Sequence, residues 1–378
     1  MKINIVGGGP AGLYFAILMK RLDPSHRITV IERDGPDDTF GWGIVFSDQT
    51  FGYLKDNDEP SFNEIMRACQ TWDNVVVVHR DEQVTIRGNR FSGIARLAFL
   101  NILQTRCRAL GVELRFHTNA TDIEPLTACD LLVGADGANS LVRRTYEGVF
   151  QPTVDWRKNK YIWLGTHQLF HGLTLTFREH AAGLFIAHSY KFNDTTSTFI
   201  VECDETTWAN AGFEKMNEAE TCAYLADVFK KDLDGHALLA NNFVRWLNFP
   251  LIKNQQWHHG NVVMLGDALH TAHFSIGSGT KLALEDAIAL ARCFAEGRET
   301  EATLAEFQRL RKPVIDAYQD AAFASLLMFE NAEQDMHLDP LPFAFKLMTR
   351  SKKIDYEKLR RRDPQFIAAY DAWQARSE

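Results

Sequence analysis

The sequence predicts a mixed α/β chain: a parallel-sheet domain built from strand–helix–strand units, interrupted by an inserted β-sheet domain and followed by C-terminal helices. Three observations carry that expectation. Short apolar strands run directly into glycine-containing turns three times, at residues 3–9, 131–137 and 261–267. After residue 151 the chain changes to aromatic and β-branched runs divided by Gly, Asn and Asp, the pattern of antiparallel strands. Beyond about residue 300 it turns rich in Ala, Leu, Glu, Lys and Arg, which reads as helices.

The elements follow in order. Residues 3–48 read strand, glycine-rich turn, helix, strand, a βαβ unit. Within residues 51–90 only Val75-Val76-Val77-Val78 has a clear pattern, that of one buried strand. From Gly93 the positions Ile94, Leu97, Leu100 and Leu103, then Cys107 and Leu110, have helical period, and a strand over 112–116 follows. Sheet strands are expected over 161–169, 172–177, 184–190 and 197–203. A buried strand over 261–265 precedes a helix over 280–293, and Pro313 is the main early interruption of the C-terminal helices. The expected division is a discontinuous domain of residues 1–75, 93–150 and 255–320, a sheet domain of 76–92 and 151–254, and helices over 321–378 packed on the body.

With 378 residues, 46% hydrophobic and 24% charged, the chain is large enough for two globular domains. A formal charge of -8 without a long Lys/Arg run disfavours nucleic acid or an anionic membrane as partner, and a small molecule is expected instead. Cys69, Cys107, Cys129, Cys203, Cys222 and Cys293 are scattered and read as reduced structural thiols. No signal peptide and no bilayer-spanning run is read, so the expected location is cytoplasmic.

Gly7-Gly8-Gly9-Pro10-Ala11-Gly12 fits G-x-G-x-x-G between strand and helix. Glycine lets backbone N–H groups approach a pyrophosphate, and the helix N-terminus adds partial positive charge. Glu32, at the end of the strand over 28–31 and followed by Arg33, is spaced to accept hydrogen bonds from ribose hydroxyls. This predicts a Rossmann-like dinucleotide site, with FAD and NAD both open.

Two further motifs decide between them. Asp130 to Arg143, containing Gly134-Ala135-Asp136-Gly137, and Gly266-Asp267-Ala268-Leu269-His270 resemble the D-G and G-D motifs of the para-hydroxybenzoate hydroxylase superfamily of FAD-dependent aromatic hydroxylases. The resemblance spans the cofactor-binding portion. It implies non-covalent FAD, with Asp267 on a ribityl hydroxyl, backbone donation to the flavin from Gly277, Gly279, Thr280 and Lys281, and Arg96 near the phosphates.

A closer likeness reaches into the sheet domain. Gly41-Trp42-Gly43-Ile44-Val45, the runs at 159–163, 186–191 and 197–203, and His273-Phe274-Ser275-Ile276-Gly277 look like the violacein-pathway tryptophan hydroxylases. Residues 41–50 also look like the flavin domains of the salicyloyl-CoA 5-hydroxylases and anthraniloyl-CoA monooxygenases. What this implies is an NAD(P)H- and O2-consuming monooxygenase that hydroxylates an activated aromatic ring through a flavin C4a-hydroperoxide, with NAD(P)H docking transiently.

That chemistry requires a dry pocket that holds the ring. Tyr161, Trp163, Phe185, Tyr190 and Phe274 are candidates to line it, although aromatics in strands also serve as plain core. His273-Phe274 stands where many of these hydroxylases have Pro-Pro, and a histidine there can orient a substrate hydroxyl or relay a proton. His273, Phe274, His188 and Tyr190 are therefore the catalytic candidates. His270 is expected to shape a turn.

Arg157, Lys158 and Lys160 form a small basic cluster suited to the phosphates of a CoA thioester, or equally to a solvated strand end. An aryl-CoA such as salicyloyl-CoA is the preferred substrate, with a free aromatic or tryptophan-derived indole as the alternative. A flavin-dependent reductase or dehydrogenase on the same fold is the reading from another class. No metal site is expected, and His258-His259 reads as a surface turn.

Overall fold

The computed structural model describes residues 1–241 and 245–377, apart from the side chains of 49 and 377; residues 242–244 and 378 of the expected sheet domain and C-terminal helices lie outside it. Three sheets organise the chain. The first orders His258–His259, Val262–Met264, Leu131–Gly134, Lys2–Val6, Arg27–Ile31 and Glu113–Arg115. Its centre is parallel, with Ile3 beside both Ile28 and Leu131. Lys2–Val6 is the axis because apolar residues cover it from both faces, as a central parallel strand requires. On it lies the helix Pro10–Leu22, buried from Ala11 to Lys20, with Pro10 in its first turn where a missing N–H costs nothing. This helix packs on Gly279–Ala295, itself packed on Thr300–Glu330.

The second sheet orders Leu238–Leu239, Pro152–Thr166, Ser197–Cys203, Gly183–Lys191, Leu173–His180, Val75–His79 and Glu82–Ile86, with Leu247–Asn254 also on Pro152–Thr166. The Val75 run is thus a strand of this sheet, parallel to Leu173–His180. One face packs on Phe329, Phe343, Leu347 and Leu359 of the C-terminal helices, and the other on Phe213, Leu225 and Phe229. A three-stranded sheet, Gly43–Ser47, Phe91–Ala95 and Gln70–Trp72, joins the two halves.

Several expectations are corrected. Phe91–Ala95 is strand, and the helix starts only at Arg96. Pairing pins Gly93 in the small sheet, where an added Cβ would stand 2.5 Å from the Lys191 carbonyl oxygen. Pro313 does not interrupt Thr300–Glu330: burial of Leu304, Phe307 and Ile315 on both sides offsets the ~3 kcal/mol cost of an interior proline. The sheet insert also carries the helices Glu205–Ala211, Glu218–Val228 and Lys230–Leu233. His258–His259 is a strand paired with Val262 and Val263, not a turn. The divisions after residues 75 and 320 fall inside Val75–His79 and Thr300–Glu330. All six cysteines are free.

Candidate active site

Three turns meet at the carboxyl end of the parallel strands, where open α/β sheets bind ligands. Gly7 has φ +106°, and a Cβ there would stand 2.2 Å from the Ala135 carbonyl oxygen, so the first turn packs directly on the second. Gly12 abuts the Gly7 carbonyl at 2.3 Å in the same sense. Glu32 accepts from Gly8 N at 2.6 Å and from Asp34 N at 2.9 Å, while Arg33 is exposed beside Asp34.

Asp136 accepts from Ser140 Oγ at 2.6 Å, Leu141 N at 2.6 Å and Val142 N at 3.2 Å, anchoring the start of Leu141–Thr145. Gly137 has φ +75°. Arg143 ties this turn to the third by donating to the carbonyls of Ala138 and Ala268. Gly266 has φ +60°, and a Cβ there would stand 3.1 Å from the Ala11 Cβ.

Asp267 exposes its own side chain yet sits in a recess deep enough that burial raises its pKa, against the opposing charges of Arg96 and His270. Arg96 Nε is buried with no hydrogen-bond partner. Behind these, His270 Nε2 is 2.7 Å from Asp286, Asp286 accepts from Arg311 Nε at 2.8 Å, Arg311 reaches Glu285 at 2.8 Å, and Lys281 pairs with Glu285 at 2.9 Å and donates to Tyr318 Oη at 2.6 Å. His270 is part of this ion network, beyond the turn-shaping expected of it. The side chain of Lys281 is spent here, leaving its backbone and those of Gly277, Gly279 and Thr280 at the helix start.

Gly41-Trp42-Gly43 docks onto the large sheet. A Cβ on Gly41 would stand 2.8 Å from the Trp163 ring, one on Gly43 2.6 Å from Phe192, and one on Gly165 2.7 Å from the Trp42 ring. Gly43 N donates to Thr198 Oγ1 at 2.8 Å, and Tyr190 Oη donates to the Gly43 carbonyl at 2.9 Å. The indole N–H groups of Trp42 and Trp163 are buried without partners. Tyr190 stacks on Trp72 at 5.9 Å, and burial raises its phenol pKa above the ordinary tyrosine range. The structure thus uses Tyr190 as a clamp. Phe185 does not share its face: it packs among Phe213 and Tyr224 on the far side.

The remaining catalytic candidates converge. Phe274 meets His273 at 4.1 Å, Tyr161 at 5.0 Å and His188 at 5.3 Å between ring centres. Burial holds the Tyr161 phenol up at about 12 and His273 well below the ordinary histidine value, with nearby His188 and Arg350 acting in the same direction. Sequence reasoning missed the groups that organise this cluster: Glu202, 1% exposed, Ser275, Ser325 and Arg350. One signal was available, a lone carboxylate in the otherwise uncharged strand Ser197–Cys203. The basic cluster at 157–160 does not stand free. Arg157 is bonded to Glu330 and Asp155, and Lys160 to Asn248 and the Trp208 ring, leaving Lys158 exposed. Among the described residues no group of three His, Cys, Asp or Glu is placed to hold a metal. A groove of about 540 Å³ lined by Thr174, Thr176 and Arg178 lies on the opposite face of the large sheet.

The three turns fit an FAD: Gly9, Gly137 and Gly279 have open space where a Cβ would project, and Arg96, its Nε buried without a partner, lies close enough for its charge to act on Asp267. Residues 110–322 match the model of an FAD-binding domain. The chain is 39% identical to salicyloyl-CoA 5-hydroxylase of a Streptomyces species, over all of this chain and 74% of that protein. It is 35% identical to protodeoxyviolaceinate monooxygenase of Chromobacterium violaceum, over 94% and 95% of the two chains. In fold it matches a variant of 2-methyl-3-hydroxypyridine-5-carboxylic acid oxygenase with a TM-score of 0.74, covering 96% and 98% of the chains at 18% identity. From these likenesses and the paired turns, the chain belongs to the family of FAD-dependent aromatic monooxygenases.

Proposed function

We propose that this monooxygenase hydroxylates an activated aromatic ring presented as an aryl-CoA thioester such as salicyloyl-CoA. The observation that carries the reading is the 39% identity with a salicyloyl-CoA 5-hydroxylase along the whole chain, sheet insert included. FAD, when bound, passes reducing equivalents from NAD(P)H to O2 and delivers one oxygen atom to the ring.

The chain's own part is to hold and to exclude. Backbone groups of Gly7, Gly9, Pro10, Ala11 and Gly12 cradle the pyrophosphate, Glu32 meets the ribose, and Arg96 neutralises phosphate. Arg33 lies at the adenosine end, and Asp136 and Gly137 brace the cradle. Asp267 and Gly266 hold the ribityl chain, and the backbone from Gly277 to Lys281 faces the flavin ring. Gly41-Trp42-Gly43 closes the flavin against the large sheet. Phe274, Tyr161 and the rings around them form a dry wall beside the ring to be hydroxylated, with His273 and His188 at its polar edge.

A free aromatic or indole substrate is the second reading, favoured by the 35% identity with protodeoxyviolaceinate monooxygenase and by the internal engagement of Arg157 and Lys160. The cytoplasm is the proposed location; among the described residues no helix is long and apolar enough to cross a membrane.

The test is oxygen uptake and NAD(P)H oxidation with salicyloyl-CoA, anthraniloyl-CoA, free salicylate and indoles. The aryl-CoA reading expects a thioester to accelerate oxidation at least tenfold and to gain one oxygen atom. Acceleration by free aromatics alone would replace it with the second reading. Tyr190→Phe is expected to cost about 1 kcal/mol, read as a fall in Tm of a few degrees at most, with turnover retained. A tenfold loss of turnover would instead make that phenol catalytic.

A further inference from the structure

Glu202 is a carboxylate inside an apolar sheet. It lies opposite Ile186 and Tyr161 in register, on the face packed by Phe177 and Phe329. Burying an ionisable group there costs several kcal/mol unless it is paired, and an apolar side chain would pack more cheaply. Its partners are both imidazoles: Oε1 lies 3.3 Å from His188 Nε2, and Oε2 lies 3.9 Å from His273 Nε2.

The tautomer of His273 is fixed from its other side. Ser275 N donates to Nδ1, and Ser275 Oγ lies 2.9 Å from the same atom; Ser275 Oγ meets Ser325 Oγ at 2.8 Å, which accepts from Arg350 Nε at 2.8 Å. With Nδ1 accepting, Nε2 carries the hydrogen and aims it at Glu202. Arg350 also donates to the Leu347 and Ser275 carbonyls, so it locks the chain of hydroxyls, and its charge lies close enough to act on Glu202 and His273. His188 turns Nε2 to Glu202 and leaves Nδ1 without a partner among the described residues, its ring against Phe274.

We propose that Glu202 is the acceptor of a proton relay, taking up through His188 the proton that the substrate's ring hydroxyl or amino group releases, while His273 turns its Nε2 toward the second oxygen from 3.9 Å. The substrate O–H or N–H bond breaks and an N–H bond forms at His188 Nδ1. The hydrogen on Nε2 then passes to Glu202 Oε1, and the reverse steps return that proton to the substrate oxygen or nitrogen after oxygen transfer. A buried acceptor removes the need for water beside the reacting flavin edge. The inference rests on the activated aromatic substrate proposed above. Glu202 itself is a positioning residue, acting through the imidazoles.

The test uses the full-length, FAD-loaded enzyme with histidine ring nitrogens labelled with ¹⁵N. The resonances of His188 and His273 are assigned with His188→Gln and His273→Gln. In Glu202→Gln the Nε2 resonances of both rings are expected to move, Glu202→Asp to return them part of the way, and His188→Gln to shift the His273 signal through the shared carboxylate. With a substrate that turns over, Glu202→Gln is expected to lower kcat on the order of 10²-fold with KM within about threefold, and Glu202→Asp to recover part of the loss. A retained flavin spectrum and Tm show that the fold is intact. Unmoved Nε2 resonances, or a kcat equal to that of the unaltered enzyme, overturn the proposal. Should no aromatic turn over, the substrate reading fails, while the nitrogen resonances still decide whether the imidazoles share Glu202.

Discussion

Gly7→Ala is expected to yield a colourless protein, stripped of FAD and destabilised by about 3 kcal/mol or more. Two costs add. The residue sits at φ +106°, where an L side chain costs roughly 1–2 kcal/mol, and its Cβ would stand 2.2 Å from the Ala135 carbonyl oxygen. That neighbour is backbone, so no rotamer change relieves the clash, and overpacking of this kind costs about 1–3 kcal/mol. The displaced element is the D-G turn, which carries Asp136 and through Arg143 is tied to Ala268. One methyl group therefore disturbs all three cofactor turns. Flavin absorbance per chain after purification and a thermal scan read the result. Gly9→Ala is the paired control: Gly9 has φ -77° and nothing within 4 Å of its Cβ position. That variant is expected to fold with the stability of the unaltered apoprotein and to lose FAD affinity alone. A full flavin complement in Gly7→Ala would show that the turns do not pack as described.

The second large effect is expected at Asp286. Its carboxylate is 0% exposed and answers His270 on one oxygen and Arg311 on the other, joining the G-D turn to the long helix. Asp286→Ala leaves the Arg311 charge buried with Glu285 as its one remaining carboxylate among the described residues, beside the Leu282 carbonyl, and breaking a buried pair in this way costs about 3–5 kcal/mol. A denaturant midpoint shifted by less than a third of that would mean the network relaxes into solvent. The same group sets an acid limit. Burial pushes its pKa up, but His270 and Arg311 outweigh burial and hold it below the ordinary aspartate value. A depressed carboxyl contributes stability in full above the unfolded value of about 3.9, and loses it as pH falls through the folded value. The unaltered protein is accordingly expected to lose stability below about pH 4 more steeply than Asp286→Asn does.

Much of this molecule is legible in its sequence because its cofactor turns are local. A strand, a tight glycine turn and a helix start are contiguous in the chain, so Gly7, Asp136 and Gly266 announce themselves through steric need. The proposed catalytic cluster is assembled from distant parts: His188 and Glu202 from neighbouring strands, His273 from a turn, Ser325 from a long helix and Arg350 from beyond the next one. Spacing along the chain is silent about that. The same reason accounts for the misread elements. Gly93 and Ile94 fit a helical period as well as a strand, and pairing with Gly43–Ser47 decided for strand. Pro313 breaks an isolated helix, and packing on both sides of it kept this one whole.

By itself, the sequence determined the class of fold and a dinucleotide-binding turn, because those depend on short motifs whose backbone geometry only certain residues allow; the flavin and the kind of reaction came from the resemblance of its longer motifs to known hydroxylases. Tertiary structure alone decided which ionisable groups face one another. It turned Tyr190 into a clamp, spent the charges of Arg157 and Lys160 on Glu330 and Asn248, and set one buried carboxylate between two imidazoles. Hydrogen bonds and burial are properties of the packed chain, and only packing brings residues 188, 202, 273 and 350 together.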